Sequence, residues 1–376
     1  MADRPPDLRL PDRAQTLLLQ AAIRADGAAV DAWRRWGAVV AFDDVDGPSL
    51  AVLPAVAHNL QRAGHADELT PRLKGIARLA WVRNQLHIAG AAQAAHVLSE
   101  AGIPVMALKG IPLLARHYPD AGMRPMADVD LLVHPTDAGA ADQQLRNAGW
   151  RRTSERPIAA LQARAHAADL TSPNGAALDL HWRPIAQSWD AALDDAVWSR
   201  ATPATVTQLT VPAAAPEDLL FHIIVHGVRG YPNQVIRWVI DAAMVLGSTP
   251  EFDWDLFFKT AVARRLTSAT VLGLTYLREQ QIAVPEDIVE RLARVRPSLP
   301  ERLERGLRPG AGAVAWMTKF EAPVYLRSTR GWPVHRRVTG IPAYLGVAWD
   351  VAPKRVPGEF LRRGRRVAVG AFSRRA

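Results

Sequence analysis

The stretch ALKGIPLLARHYPDAGMRPMADVDLLV, residues 107–133, decides how the rest of the chain is interpreted. A Lys109-Gly110 turn follows one apolar run, and two aspartates, Asp128 and Asp130, stand inside a second apolar run. A buried strand would favour Val or Ile at those two positions. Residues two apart on a strand share a face, so the two carboxylates should project together, roughly 6–7 Å apart. Burying a carboxylate without a partner is costly, so this pair needs a physical cause.

A divalent cation would account for the aspartate pair. Two carboxylates held this close repel each other unless a cation lies between them. Mg²⁺ prefers oxygen ligands and brings phosphate oxygens with it. A third acid, Asp179 in the apolar run AALDLHW (residues 176–182), would complete a site for two metal ions. The alternative is that these acids face solvent on an edge strand. A single Asp-X-Asp is weak evidence for a metal site, and its combination with the Lys109-Gly110 turn is stronger evidence.

Hydrophobic periodicity places this stretch in a small mixed unit between helical regions. Apolar residues at three-to-four spacing predict helices over residues 14–101 and again from Pro216 onward. Between them, short apolar runs predict strands, and an SPNG turn predicts a hairpin. The segments are the strands IPVMAL (103–108) and ADVDLLV (127–133), a helix at 135–149, a candidate strand WRRTS (150–154), and the hairpin arms LQARAHAADLT (161–171) and AALDLHW.

This pattern predicts an α+β fold, in which a small mixed β-sheet core is flanked by N-terminal helices and a C-terminal helical region. Four domains or regions are expected along the chain. They are an N-terminal helical region (1–95), an α/β core (96–210), a helical domain (211–300) and a basic region rich in Pro, Gly and Arg (301–376).

The composition is that of an ordinary globular protein, and it excludes some kinds of site. The 376 residues include no cysteine, which rules out disulfides and thiolate metal sites. The N-terminus has no basic segment followed by a long apolar run, so we expect no signal peptide. No apolar run approaches the roughly 20 residues that a membrane helix needs. A cytoplasmic enzyme or binding protein is the default expectation.

Positive charge is concentrated at the C-terminal end. The formal net charge is +9, and residues 301–376 alone carry 16 basic and 5 acidic side chains. Such a tail can attract nucleic acid or an anionic membrane, although a solvated end is the favoured interpretation. The final segment KRVPGEFLRRGRRVAVGAFSRRA (354–376) has few aromatic residues beyond Phe360 and Phe372, so a base-stacking surface is not indicated.

The motifs resemble those of the nucleotidyltransferase superfamily of the DNA polymerase β type. More narrowly, LKG…GMRPMADVDLLV, LDLHW and LLFHIIVHG…IRWVIDAAMVL look like a poorly characterised bacterial branch associated with biosynthetic gene clusters. In the superfamily, a Gly-rich turn follows one strand, the next strand bears an acidic pair, and a later strand supplies a third acid. This pattern maps onto Gly110, Asp128, Asp130 and Asp179. Lys109-Gly110 replaces the usual Gly-Ser, and the spacer from Gly110 to Asp128 is somewhat long.

The resemblance implies transfer of a nucleoside monophosphate from an NTP, such as ATP, to an acceptor hydroxyl or phosphate, with release of pyrophosphate. It also implies two Mg²⁺ ions: Asp128 and Asp130 would bind both, and Asp179 would bind the catalytic ion. The acceptor could be a small molecule, a sugar, a peptide or a protein. Two other interpretations stay open. The fold could serve as a non-catalytic binding module in a biosynthetic complex, or the protein could modify RNA, which the slightly acidic first 300 residues do not favour.

Three residues of the opening stretch are candidate phosphate contacts. Gly110 would let the backbone and the following helix start approach a phosphate closely. Lys109 would hold a phosphate as a point charge, and Arg124 would form a fork to phosphate oxygens. The alternatives are a surface lysine and an ion pair between Arg124 and one of the two neighbouring aspartates.

Histidines and charges farther along have weaker assignments. His226, Arg237 and Asp241 are expected to form a polar cluster near the cleft, with Arg237 and Asp241 at an ion-pair spacing. His222 and His226 share a helix face, but a zinc site is not favoured because no Glu follows His222. His181 is expected on the opposite strand face from Asp179, in a structural role.

Overall fold

The computed structural model describes residues 10–162, 165–186, 188–228 and 236–306, and then the shorter pieces 325–326, 329, 333–348, 353–355 and 358. The described residues form an α+β fold with one mixed sheet, which confirms the predicted fold class. Residues 359–376, the end of the predicted basic region, lie outside the described residues. The division into four domains stays a prediction.

Seven strands of the described residues form the sheet. They are β1 (Met106–Leu108), β2 (Val129–Leu132), β3 (Arg151–Arg152), β4 (Ala167–Thr171), β5 (Ala177–His181), β6 (Thr202–Val206) and β7 (Leu209–Ala213). Their order across the sheet is β3-β4-β5-β2-β1-β7-β6. β2 is the middle strand, antiparallel to β1 and parallel to β5. β1 and β7 are parallel, and the β3–β4, β4–β5 and β6–β7 pairs are antiparallel.

Along the chain, helices precede, separate and follow the strands of this sheet. They are α1 (Arg13–Ile23), α2 (Asp26–Gly37), α3 (Gly47–Leu50), α4 (Leu53–Arg62), α5 (Thr70–Glu100), α6 (Gly110–Arg116), α7 (Ala138–Asn147), α8 (Ile158–Leu161), α9 (Ala191–Ser199), α10 (Pro216–Val228), α11 (Trp238–Ser248), α12 (Trp254–Ala263), α13 (Thr267–Glu279), α14 (Glu286–Arg294), α15 (Leu299–Gly306) and α16 (Val334–Ala348). Among the residues that the structure describes, short 3₁₀ helices cover Phe42–Asp44, Ala121–Met123 and Pro353–Arg355.

Local sequence explains where the longest helix, α5, begins and ends. Pro71 lies in its first turn, where a missing N–H leaves no helix hydrogen bond unmade. Gly102, with φ +67°, follows its last turn, and glycine adopts this left-handed conformation at little cost. Along the helix, buried residues such as Ile88, Ala91 and Leu98 face the core, in agreement with the helical periodicity predicted over residues 14–101.

The two faces of the sheet have different environments. Alternate residues of a strand point to opposite faces. Ala107 of β1 and Leu131 of β2 belong to the main core, which extends from α1 to α14. Met106, Leu108 and Leu132 on the other face belong to a small separate cluster with Val197 of α9 and Ala214. The second face therefore has little apolar cover and can carry polar groups.

The N-terminal helices pack against the C-terminal ones. Thr16 of α1 shares a 2.9 Å hydroxyl hydrogen bond with Tyr276 of α13. Gln20 donates a 2.9 Å hydrogen bond to Gln280, just after α13. These contacts join residues that are 260 positions apart in sequence.

Most predicted elements are confirmed, and one pair of strands is new. The β6–β7 hairpin, with α9 before it, lies in a part of the chain for which the periodicity gave no assignment. Pro203 and Pro212 stand within these strands, and proline weakens a strand pattern because it cannot donate a ladder hydrogen bond. β6 is an edge strand, where proline is tolerated. Within the described residues, the helices are all too short or too polar to cross a membrane.

Candidate functional site

The sheet places three aspartates side by side. Asp130 on β2 is the direct Cα partner of Asp179 on the parallel strand β5. Asp179 is in turn the direct partner of Asp169 on β4. Paired residues on neighbouring strands project from the same face. The row of carboxylates therefore lies on the sparsely covered face, and Asp128 immediately precedes β2 at its edge.

Asp130 is the centre of this row. Its side chain is 5% exposed, and its Oδ1 atom accepts from Lys109 Nζ at 2.5 Å and faces His181 Nε2 at 2.9 Å. Burial alone would raise the pKa of Asp130, but the Lys109 charge and the His181 contact hold it well below its usual value. Burial opposes ionisation of Lys109, but Asp130 raises the Lys109 pKa overall. Asp130 is therefore ionised and paired.

The surroundings of Asp179 and Asp128 favour the protonated form of each carboxyl group. Burial, a hydrogen bond with Asp169 and the nearby Asp130 and Asp128 raise the pKa of Asp179 to about 8. Burial and the charge of Asp130 raise the pKa of Asp128, although Lys109 opposes this. Carboxylates in such a site either share protons or bind a cation.

The turn before α6 brings Lys109 over the acidic row. Lys109 has φ +47° and ψ −100°, a conformation that is costly for a residue with a side chain. Gly110 follows at the first position of α6, and a Cβ atom there would lie 2.5 Å from Met126 Sδ and 3.2 Å from Arg124 Nη1. Any larger residue at position 110 would therefore require the side chains of Met126 and Arg124 to shift.

His181 corrects the expectation from sequence. It was expected on the opposite strand face from Asp179, but residues two apart on a strand share a face, so that parity assignment was wrong. His181 Nε2 lies 4.0 Å from Asp179 Oδ2 as well as 2.9 Å from Asp130 Oδ1. One ligand atom from each of Asp130, Asp179 and His181 lies within 4.8 Å of the other two, so these residues could hold a metal ion. Asp128 is not part of this trio.

Arg124 is engaged by a residue that the sequence did not pair with it. Its Nε and Nη2 atoms donate to the two oxygens of Asp241 at 2.8 and 3.0 Å, and both side chains are 6% exposed. The expected alternative, an ion pair with Asp128 or Asp130, is therefore replaced by a pair with α11. Tyr118 Oη also donates to Asp241 at 2.7 Å. Arg124 Nη1, near Gly110, is the nitrogen that points to the turn, and a phosphate contact by Arg124 stays a prediction.

The predicted cluster of His226, Arg237 and Asp241 is only partly assembled. Arg237 Nε lies 4.0 Å from Asp241 Oδ2, as their spacing predicted. His226 is exposed and its ring centroid lies 6.2 Å from that of His222, at right angles. In the described residues, the metal-ligand trio does not include either of these histidines.

A small cavity adjoins Lys109. Leu108, Lys109, Ile185, Val197, Phe221 and His222 are among its lining residues. It lies between the less covered face of the sheet and α10. Burial lowers the pKa of His222 well below its usual value, and the Lys109 charge adds to this shift. His222 therefore adds no charge to the cavity, whereas Asp218 and Arg264 also line it.

The donor set fits a divalent cation. Both contacts to Asp130 go to Oδ1, so among the described residues Oδ2 is available to a cation, and Oδ1 becomes available where the cation replaces Lys109. Asp179 offers a carboxylate whose raised pKa shows that negative charge there needs compensation. Asp128 stands beside them, and carboxylate oxygens suit Mg²⁺ or Mn²⁺. Sequence reasoning missed Asp169 and gave His181 only a structural role. Pairing opposite Asp179 in the SPNG hairpin could have identified Asp169.

Comparison with known proteins agrees with this geometry. The model of the family described as uncharacterised nucleotidyltransferase matches residues 49–280, more than half of the chain. The protein therefore belongs to this nucleotidyltransferase family, which confirms the resemblance seen in the sequence.

A solved structure and the curated proteins add less. The solution structure of the antibiotic-resistance factor ANT(2'')-Ia is similar over 50% of this chain and 98% of that chain, at 12% identity and a TM-score of 0.33. None of the curated proteins compared with this chain matches it.

Proposed function

We propose that the protein is a metal-dependent nucleotidyltransferase that transfers a nucleoside monophosphate from an NTP to an acceptor. The observation that carries this proposal is the pairing of Asp130 with Asp179 on adjacent parallel strands, beneath the Lys109-Gly110 turn. Family membership supports the class of reaction. The acceptor group is a hydroxyl or a phosphate on a small molecule, sugar, peptide or protein, and cytoplasmic location is part of the same proposal.

The residues have separate roles in this reaction. Asp130 and Asp179 would hold a divalent ion, with Asp128 as a further ligand toward a second ion, and Mg²⁺ is the proposed cofactor. When bound, such ions neutralise phosphate charge and stabilise the entering and leaving oxygens. The acceptor oxygen forms a bond to the α-phosphorus, and the bond from that phosphorus to the bridging oxygen breaks. Pyrophosphate leaves with the electron pair, and ionised Asp179 accepts the proton of an acceptor hydroxyl.

Lys109 connects the metal-free and nucleotide-bound forms of the site. In the structure its ammonium balances Asp130. A divalent ion would replace that charge, and the long Lys109 side chain, 21% exposed, could then contact a phosphate of the NTP. Arg124 Nη1 would support the same phosphate, because Asp241 already fixes the plane of the guanidinium.

The proposal is tested by thermal unfolding with each NTP, with and without Mg²⁺. A ligand at one hundred times its dissociation constant stabilises a protein by about 2.7 kcal/mol, which a melting curve detects. We expect one NTP to stabilise the wild-type protein only when the metal is present, and Asp179→Asn to lose this effect. The exposed Asp255→Asn variant is the control and should respond like wild type. No metal-dependent stabilisation by any NTP would contradict the proposal.

The Lys109–Asp130 contact favours one second candidate, a non-catalytic binding module. A lysine that permanently replaces a metal ion would satisfy Asp130 in just this way. If the protein is such a binding module, neither the wild-type protein nor Lys109→Met would bind a nucleotide in a Mg²⁺-dependent way. Binding of Mg²⁺ and an NTP by the wild-type protein would exclude this candidate.

A further inference from the structure

His181 is the most buried polar group in contact with the acidic row. It is 0% exposed, and it lies on β5 two residues after Asp179. Its two ring nitrogens both face oxygen atoms: Nδ1 lies 3.3 Å from the Arg183 carbonyl and Nε2 lies 2.9 Å from Asp130 Oδ1. A carbonyl oxygen accepts hydrogen bonds and never donates them. In its contact with Arg183, therefore, Nδ1 carries the hydrogen.

The consequence concerns Nε2. With Nδ1 engaged at Arg183, Nε2 is the ring nitrogen that can exchange the proton it shares with Asp130 Oδ1 for a cation. A histidine that donates to a backbone carbonyl through one nitrogen and binds a metal through the other is a common arrangement in metal sites.

The spacing of the donor atoms fits one ion. Ligands of an octahedral ion at about 2.1 Å lie about 3 Å apart when adjacent and about 4 Å apart when opposite. His181 Nε2 lies 2.9 Å from Asp130 Oδ1 and 4.0 Å from Asp179 Oδ2. All three atoms come from adjacent strands of the sheet, whose ladder fixes their positions.

We propose that His181 Nε2 is a direct ligand of the ion held by Asp130 and Asp179, which makes this a mixed nitrogen and oxygen site suited to Mn²⁺. This inference rests on the proposed function and specifies its metal. Imidazole nitrogen binds Mn²⁺ more favourably than Mg²⁺, which prefers oxygen ligands and water. The site would therefore bind Mn²⁺ more tightly than Mg²⁺.

The test is electron spin-echo spectroscopy of Mn²⁺ bound to the untagged full-length protein, without nucleotide and in a buffer free of nitrogen ligands. Coupling of Mn²⁺ to ¹⁴N is expected in the wild-type protein. The coupling should change to that of ¹⁵N when the protein is made with ¹⁵N-histidine. This labelling experiment needs no substitution, so it holds even if variants fold poorly.

Two variants locate the nitrogen. The coupling should be lost in His181→Gln and kept in His166→Gln, whose ring centroid lies 5.0 Å from that of His181. Coupling that persists in folded His181→Gln would overturn the assignment. Bound Mn²⁺ without any nitrogen coupling in wild type would overturn it too, while leaving the proposed nucleotidyltransferase standing. Failure of Mn²⁺ to bind at all, with or without an NTP, would overturn both.

Discussion

At the scale of single residues, charge compensation explains the unusual composition of strands β2 and β5. Asp130 would be costly to bury alone, but Lys109 and His181 both contact its Oδ1 atom. Lys109 reaches this position only through a left-handed backbone conformation at the start of α6. Backbone strain of this kind is typical of functional sites, where the surrounding structure holds the residue in the strained conformation.

Asp179 should make the stability of the metal-free protein depend on pH. Its pKa is about 8 in the folded protein, above the ordinary value of 3.8 that applies after unfolding. The folded state therefore binds the extra proton between these values, and its stability is full below about pH 4 and falls as pH rises through 8. One unit of pKa shift corresponds to about 1.4 kcal/mol. We expect Asp179→Asn to flatten this decline and to gain about 1–3 kcal/mol at pH 8.

The measurement is urea unfolding at several pH values between 4 and 8.5, with a chelator present. Asp255→Asn, an exposed acid in an ion pair with Arg291, is the control and should keep the wild-type slope. The same decline in Asp179→Asn as in wild type would show that another group causes it.

At the scale of elements, the sequence predicted what local pattern controls. The long helix α5, the strands β1 and β2 and the SPNG hairpin follow from hydrophobic spacing and turn residues. The partner of Arg124 could not be predicted this way, because Asp241 is 117 residues away and was assigned to its helical neighbour Arg237. Only the packing of α11 beside residues 118–124 brings the two together. Removing one partner of such a buried pair typically costs about 3–5 kcal/mol.

The contact between α5 and the hairpin should tolerate no added atom. A Cβ at Gly90 would lie 2.4 Å from Ala176 Cβ, directly before β5. We expect Gly90→Ala to destabilise the protein by about 1–3 kcal/mol through overpacking. Gly75 lies in the same helix with nothing within 4 Å of its added Cβ, so Gly75→Ala should stabilise by about 0.5–1 kcal/mol. Urea unfolding of both variants checks this, and equal effects would contradict the packing.

At the scale of the whole molecule, the same main core includes residues of the N-terminal helices, the sheet and the C-terminal helices. The sequence predicted separate regions because helical and mixed segments alternate along the chain. It could not show that α1 packs beside α13, because hydrophobic periodicity identifies a buried face and not its partner. The position of the acidic row depends on both of the flanking helical regions.

The predicted boundaries of the α/β core can be tested by expressing residues 96–210 alone. The first boundary cuts α5 (Thr70–Glu100), and the second cuts β7 (Leu209–Ala213), which pairs with β1. The fragment would lose Ile88, Ala91 and Ala94, which cover the sheet, so we expect it to remain unfolded. A fragment of residues 10–306 retains all these partners and should fold. Amide proton dispersion in NMR spectra distinguishes the two states, and a dispersed spectrum for 96–210 would establish an independent core domain.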